Sequence, residues 1–102
     1  KDPRAHDVLM QALQSEETVM QQAAIAAVGE IGDLDAVDEI LKFAQSEDWL
    51  VRQRLAEALG HLPTPKTEPA LRFLEKDSQF QVAESARISL TRLQKRKDNQ
   101  SQ

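Results

Sequence analysis

Apolar residues in this chain recur at spacings of three and four, and the whole pattern recurs every 31 positions. Residues 19–31 read VMQQAAIAAVGEI, residues 50–62 LVRQRLAEALGHL and residues 81–93 QVAESARISLTRL. Their apolar columns coincide: Met20, Val51 and Val82; Ala24, Leu55 and Ala86; Val28, Leu59 and Leu90; Ile31, Leu62 and Leu93. This spacing places each set on one face of a helix. A second stripe repeats in the same register, with Ala5, Ala36 and Thr67, then Leu9, Ile40 and Leu71, then Ala12, Phe43 and Leu74. The chain therefore reads as two helix types in alternation, here termed A and B.

The pattern predicts B-type helices over 3–14, 34–45 and 67–76, and A-type helices over 16–31, 47–61 and 78–95. Ser15, Ser46 and Asp77 share a column just before the A-type helices and read as N-caps. Asp33 reads as a further cap, after Gly32 ends the preceding helix. Pro63 and Pro65 predict a long, stiff loop at 62–67, and a helix starting at Thr67 keeps Pro69 within its tolerant first turn. The polar residues 96–102 read as a disordered tail.

The fold class is all-α, an α-solenoid of stacked antiparallel helix pairs in a single domain over 1–95. It divides into a partial repeat (1–15), two repeats (16–46 and 47–77) and a polar terminal capping helix (78–95). The chain opens on a B-type helix with no A-type helix before it. That reads as the C-terminal piece of a longer repeat protein. Leu9, Met10 and Leu13 then form a truncated N-terminal edge open to self-association.

Composition narrows the function. The 102 residues are 40% hydrophobic and only 4% aromatic, a balance that favours helix over strand. No cysteine is present, which excludes disulfides and thiol catalysis and is compatible with a cytoplasmic location. No apolar run reaches the length of a membrane span. The net charge of −4 argues against a general nucleic-acid binder. Residues 1–51 hold three basic and eleven acidic side chains, net −8, whereas residues 52–102 hold ten and six, net +4. On a solenoid this is an axial polarity, acidic at one end and basic at the other.

The stretch 48–60, DWLVRQRLAEALG, resembles the HEAT-like repeat of the phycobilisome-lyase type, as do AAVGEIGDLDAV at 26–37 and DPRA at 2–5. The resemblance spans residues 2–94 and implies a right-handed superhelix. It implies that Arg52 pairs with the turn Asp of the preceding repeat, here Asp33. Gln21 and Ala83 replace that Arg in the other repeats, and Thr91 replaces the glycine of the Gly29 and Gly60 column. Those two glycines read as points of close approach by the paired B-type helix. The resemblance further implies a cyanobacterial setting and a phycobiliprotein or phycobilisome component as partner. As the alternative, it implies a subunit or fragment of a phycobilin lyase that attaches or detaches the chromophore.

The residues themselves point to a non-catalytic interaction module. His6 and His61 have no ligand-spaced neighbours. The paired His-Glu motifs of HEAT-like deoxyhypusine hydroxylase are missing, since Asp7 follows His6 and Leu62 follows His61. No metal, cofactor or catalytic triad is expected. HEAT-like alkylpurine glycosylases bind DNA on a basic concave face. Here Arg87, Arg92, Lys95, Arg96 and Lys97 instead gather toward a helix C-terminus, where cations are favourable in any case. The expected protein-binding face is that of the B-type helices: Arg4, Asp7, Gln11, Asp35, Asp38, Lys42, Lys66, Arg72, Phe73 and Lys76. Phe73 stands in a column otherwise held by Gln11 and Lys42, and reads either as an interface anchor or as local repacking around the proline loop. Trp49 is expected to pack across a repeat junction.

Overall fold

The computed structural model describes residues 2–100. It contains α1 (Pro3–Ala12), α2 (Thr18–Ile31), α3 (Val37–Leu41), α4 (Trp49–Leu59), α5 (Thr67–Glu75) and α6 (Phe80–Gln100). The A-type helices α2, α4 and α6 lie side by side, with α4 in the middle. The B-type helices α1, α3 and α5 form the second layer, and α1 and α5 pack on the A-type helices that follow them, α2 and α6. The all-α solenoid expected from the repeat is the fold observed.

Local sequence explains where each helix starts. Pro3 occupies the first turn of α1, and the Asp2 carboxylate accepts from the Arg4 N–H at 2.9 Å. Asp48 does the same for α4, accepting from the Leu50 N–H at 2.9 Å. The column of Ser15, Ser46 and Asp77 acts two residues earlier than expected. Each side chain accepts the N–H two positions on, from Glu17, Asp48 and Gln79 respectively. These residues close turns that feed the helices rather than capping them. Asp33 likewise makes no side-chain cap.

The middle B-type element is not one helix over 34–45. Its α-helical part is only Val37–Leu41, with 3-10 turns at Leu34–Ala36 and Lys42–Gln45. Its buried residues Val37, Ile40 and Phe43 are spaced by three, and the tighter 3-10 winding keeps that spacing in line on the core. The proline loop is held by two threonines. Thr67 donates its hydroxyl to the Leu62 carbonyl at 2.5 Å and accepts from the Thr64 N–H at 3.0 Å. This bonding pins a loop in which two prolines lack donors of their own.

Helix α6 runs through residues 96–100, the described part of the expected tail; residues 101 and 102 lie outside the described residues. Gln, Lys and Arg are good helix formers, and a Gln94 to Asp98 bond of 3.2 Å one turn apart supports the extension.

The core lies between the layers, built from Ile25, Val28, Leu55, Leu59 and Val82 on one side and Ile40, Leu71 and Leu74 on the other. Trp49 is half-buried against it. The glycine column serves a different neighbour from the one expected. A Cβ on Gly29 would lie 3.0 Å from Ala58, and one on Gly60 would lie 2.6 Å from the Ser89 hydroxyl. Both glycines admit the next A-type helix, not a B-type one. Each faces a small residue of the Ala27, Ala58 and Ser89 column one repeat on.

Candidate interaction surfaces

All ten residues predicted for the B-type face are exposed. The structure places six of them in three separate grooves rather than in one continuous strip, and Arg4, Gln11, Asp38 and Lys76 lie outside those grooves. Lys42, Lys66 and Phe73 meet in a groove of about 500 Å³ between α3 and α5. Leu41, Ala44, Pro65, Pro69 and Ala70 supply its apolar walls. Phe73 is 52% exposed, its ring beside Pro65 and Pro69, so the column that carries Gln11 and Lys42 elsewhere presents an aromatic here. Both lysines are tethered: Lys66 Nζ reaches Asp38 Oδ1 at 2.8 Å, and Lys42 Nζ reaches Glu39 Oε2 at 2.5 Å. The bonds from Lys42 and from Gln14 hold the Glu39 carboxyl below its usual value. Lys42 also lies 5.5 Å from the centre of the Phe43 ring.

Asp7 and Asp35 belong to a second groove of about 540 Å³, where α1 meets the turn after α2. Arg72 belongs to a third, of about 790 Å³, between the proline loop and α6. Arg4 pairs with Asp2 at 3.3 Å, and neither it nor Gln11 nor Lys76 lines any of these three grooves.

The structural residues pair differently from what the resemblance implied. Arg52 does not reach Asp33. Its guanidinium donates to both carboxylate oxygens of Asp77, at 2.7 and 3.1 Å, and to the Ser46 carbonyl at 2.6 Å. Helix α4 thereby joins two successive turns of the same type, the one that leads into it and the one that leads into α6. Gln21, at the equivalent position one repeat earlier, makes only the local contact, to the Ser15 carbonyl at 2.9 Å. Burial pushes the Asp77 carboxyl up, but the Arg52 guanidinium and the Gln79 N–H outweigh it and hold the carboxyl below its usual value.

Asp33 is buried and takes His6 instead, Nδ1 to Oδ2 at 2.6 Å. That bond raises the His6 pKa above its ordinary 6.5 against a smaller opposing effect of burial, with help from the charges of Asp33, Asp7 and Asp35. A carboxylate on a histidine is one way to orient a general base. Here the groove around the pair contains Asp2, Pro3, Ala5, Asp7, Ile31 and Asp35, with no hydroxyl for such a base to activate. Among the described residues no group of three or more His, Asp or Glu is arranged to hold a metal ion. Among them, too, no helix is long and apolar enough to cross a membrane.

The layered helix pairs and their 31-residue register define an α-solenoid built for surface contact. The family profile of HEAT repeats matches residues 6–91, and the chain belongs to that family. HEAT repeats are in general protein-interaction modules. None of the curated proteins compared with the chain matches it.

Proposed function

We propose that the chain docks a partner protein on its B-type helix face, with Phe73 as the central anchor. The observation that carries this reading is the Phe73 ring, half-exposed in an apolar groove and rimmed by Lys42 and Lys66. A large aromatic in a preformed groove with a polar rim is the usual anatomy of an interface centre. Asp38 and Glu39 pair with the two lysines in solvent-exposed bridges, so the rim offers a partner charges of both signs.

Phe73→Ala is the direct test. The ring is exposed enough that its loss costs about 1 kcal/mol of stability or less. Loss of an interface anchor weakens binding by about thirtyfold, equivalent to roughly 2 kcal/mol. A pull-down should therefore lose its retained partner in the variant while the melting temperature falls by no more than about 5 °C. Unchanged retention moves the docking face elsewhere.

The finer reading takes a phycobiliprotein as the partner and rests on the motif resemblance at 26–37 and 48–60. It requires a purified phycobiliprotein to bind the chain and to be released by Phe73→Ala. The lyase alternative adds a bilin to the site. It fails if titrating a free bilin into the chain leaves the bilin absorbance spectrum unchanged.

A further inference from the structure

The groove beside the proline loop has a counterpart 62 residues earlier, two repeats back. Thr64, Pro65, Thr67, Glu68 and Pro69 line one; Asp2, Pro3, Ala5, His6 and Asp7 line the other, position for position. Leu93 in the first matches Ile31 in the second. Each groove is also crossed by a bridge between its walls, Glu68 to Lys97 at 3.3 Å and His6 to Asp33 at 2.6 Å. The two are versions of one surface with inverted charge. Asp2, Asp7, Asp33 and Asp35 surround the early groove. Arg72, Arg96 and Lys97 surround the later one, against the single carboxylate of Glu68.

We infer that the later groove docks an acidic, extended segment of a partner protein. Its walls of Pro63, Pro65 and Pro69 offer rigid apolar contact and no backbone N–H, so polar recognition falls to the side chains at the rim. Arg72 and Lys97 are partly neutralised by Glu68, at 3.6 and 3.3 Å. Arg96 is exposed and has no ion-pair partner among the described residues. A planar guanidinium in that position suits a carboxylate, which it can hold with two parallel hydrogen bonds.

Two other occupants fit less well. The groove has no aromatic side chain on which a base could stack, which disfavours single-stranded nucleic acid. A second copy fits less well, because the acidic groove that mirrors this one is itself a concavity and complements another poorly.

The test uses the full chain and a fluorescein-labelled peptide of alternating Glu and Pro, with a Gln-for-Glu peptide as control. Anisotropy is read at about 50 mM salt, where surface charges are only lightly screened. The Glu peptide binds and the Gln peptide does not. Arg96→Glu weakens binding about tenfold, with Arg96→Gln intermediate, and added salt weakens it further. Both variants keep the wild-type circular dichroism. The amides of Thr67 and Gln100 shift on binding. Phe73→Ala leaves this titration unchanged, so its outcome is separable from that of the Phe73 interface. No binding of the Glu peptide, equal binding of the two peptides, or indifference to Arg96→Glu overturns the inference. So does a preference for single-stranded oligonucleotide, or a salt-sensitive dimer that Arg96→Glu dissolves.

Discussion

The two halves of this solenoid are tied by different chemistry at different turns of the repeat, the turn after an A-type helix in one and the turn after a B-type helix in the other. In the first half His6 fastens α1 to the buried Asp33, and Gly29 lets Ala58 approach. In the second half Arg52 fastens α4 to Asp77, and Gly60 lets Ser89 approach. Arg52 is charged at every accessible pH, whereas His6 carries its charge only when protonated. Ser89 also donates its hydroxyl to the Ala56 carbonyl at 2.6 Å, a bond for which Ala58 has no group. The same repeat thus yields one half clamped throughout the neutral range and one half whose clamp weakens as pH rises.

Breaking the stronger clamp should have the largest effect. Arg52 and Asp77 are only 16% and 9% exposed, and Arg52 also satisfies the Ser46 carbonyl. Arg52→Ala leaves a nearly buried carboxylate without its partner, which costs about 3 kcal/mol. In a domain of this size that lowers the melting temperature by about 10 °C or more. Urea titration and thermal melts measure it. A loss within the range of an exposed ion pair, below about 1 kcal/mol, would show that the clamp contributes little.

The next effect separates the two glycines. Gly60→Ala forces a Cβ to 2.6 Å from the Ser89 hydroxyl and 2.9 Å from its Cβ, whereas Gly29→Ala meets Ala58 at 3.0 Å. Overpacking of this kind costs about 1–3 kcal/mol, and Gly60→Ala should lie above Gly29→Ala. Adding Ser89→Gly to Gly60→Ala should return part of the loss if the clash is its cause. Equal destabilisation by the two alanines would mean that the closer approach to Ser89 adds nothing, and stabilisation by both would mean that helix propensity, which favours alanine over glycine, outweighs the contact.

The columns made this glycine spacing legible in the sequence, but not the identity of the neighbour. A 31-residue period shows which positions are equivalent, and the stripes show which face the core. Neither says whether a small residue faces its own pair or the next repeat. Pairing of charged side chains was less legible still. The resemblance pointed Arg52 to Asp33, and Asp77 read only as a cap; the observed pair depends on which turn lies within reach of a long side chain on α4. His6 occupied a column with Val37 and Glu68, which gives no hint of a bond to a buried carboxylate. The exposed B-type residues were identified from their columns alone. The separation of the Phe73 groove from the Arg96 groove follows from Pro65 in the proline loop and Pro69 in α5, which line both. The inversion of charge between halves was visible as a count, yet its meaning needed the two grooves that share one lining pattern.

The smallest predicted effect concerns the weaker clamp and completes the contrast. His6 has a folded-state pKa above its ordinary 6.5, so the bond to Asp33 contributes fully below that ordinary value. Its contribution fades as pH rises through the raised value, because the neutral ring no longer attracts Asp33, Asp7 and Asp35. The sign reverses for Asp77. Its carboxyl is held below the usual value, so that clamp is complete above the ordinary carboxylate range and is lost only as pH falls through the lowered value. Between about pH 5 and about pH 9 the Arg52 clamp should stay constant while the His6 clamp weakens. Over that window the melting temperature of the wild type should fall relative to His6→Ala, and amide exchange in α1 should quicken relative to α4 after correction for intrinsic rates. A difference between wild type and variant that stays flat across the window would mean that His6 and Asp33 contribute no pH-dependent stability.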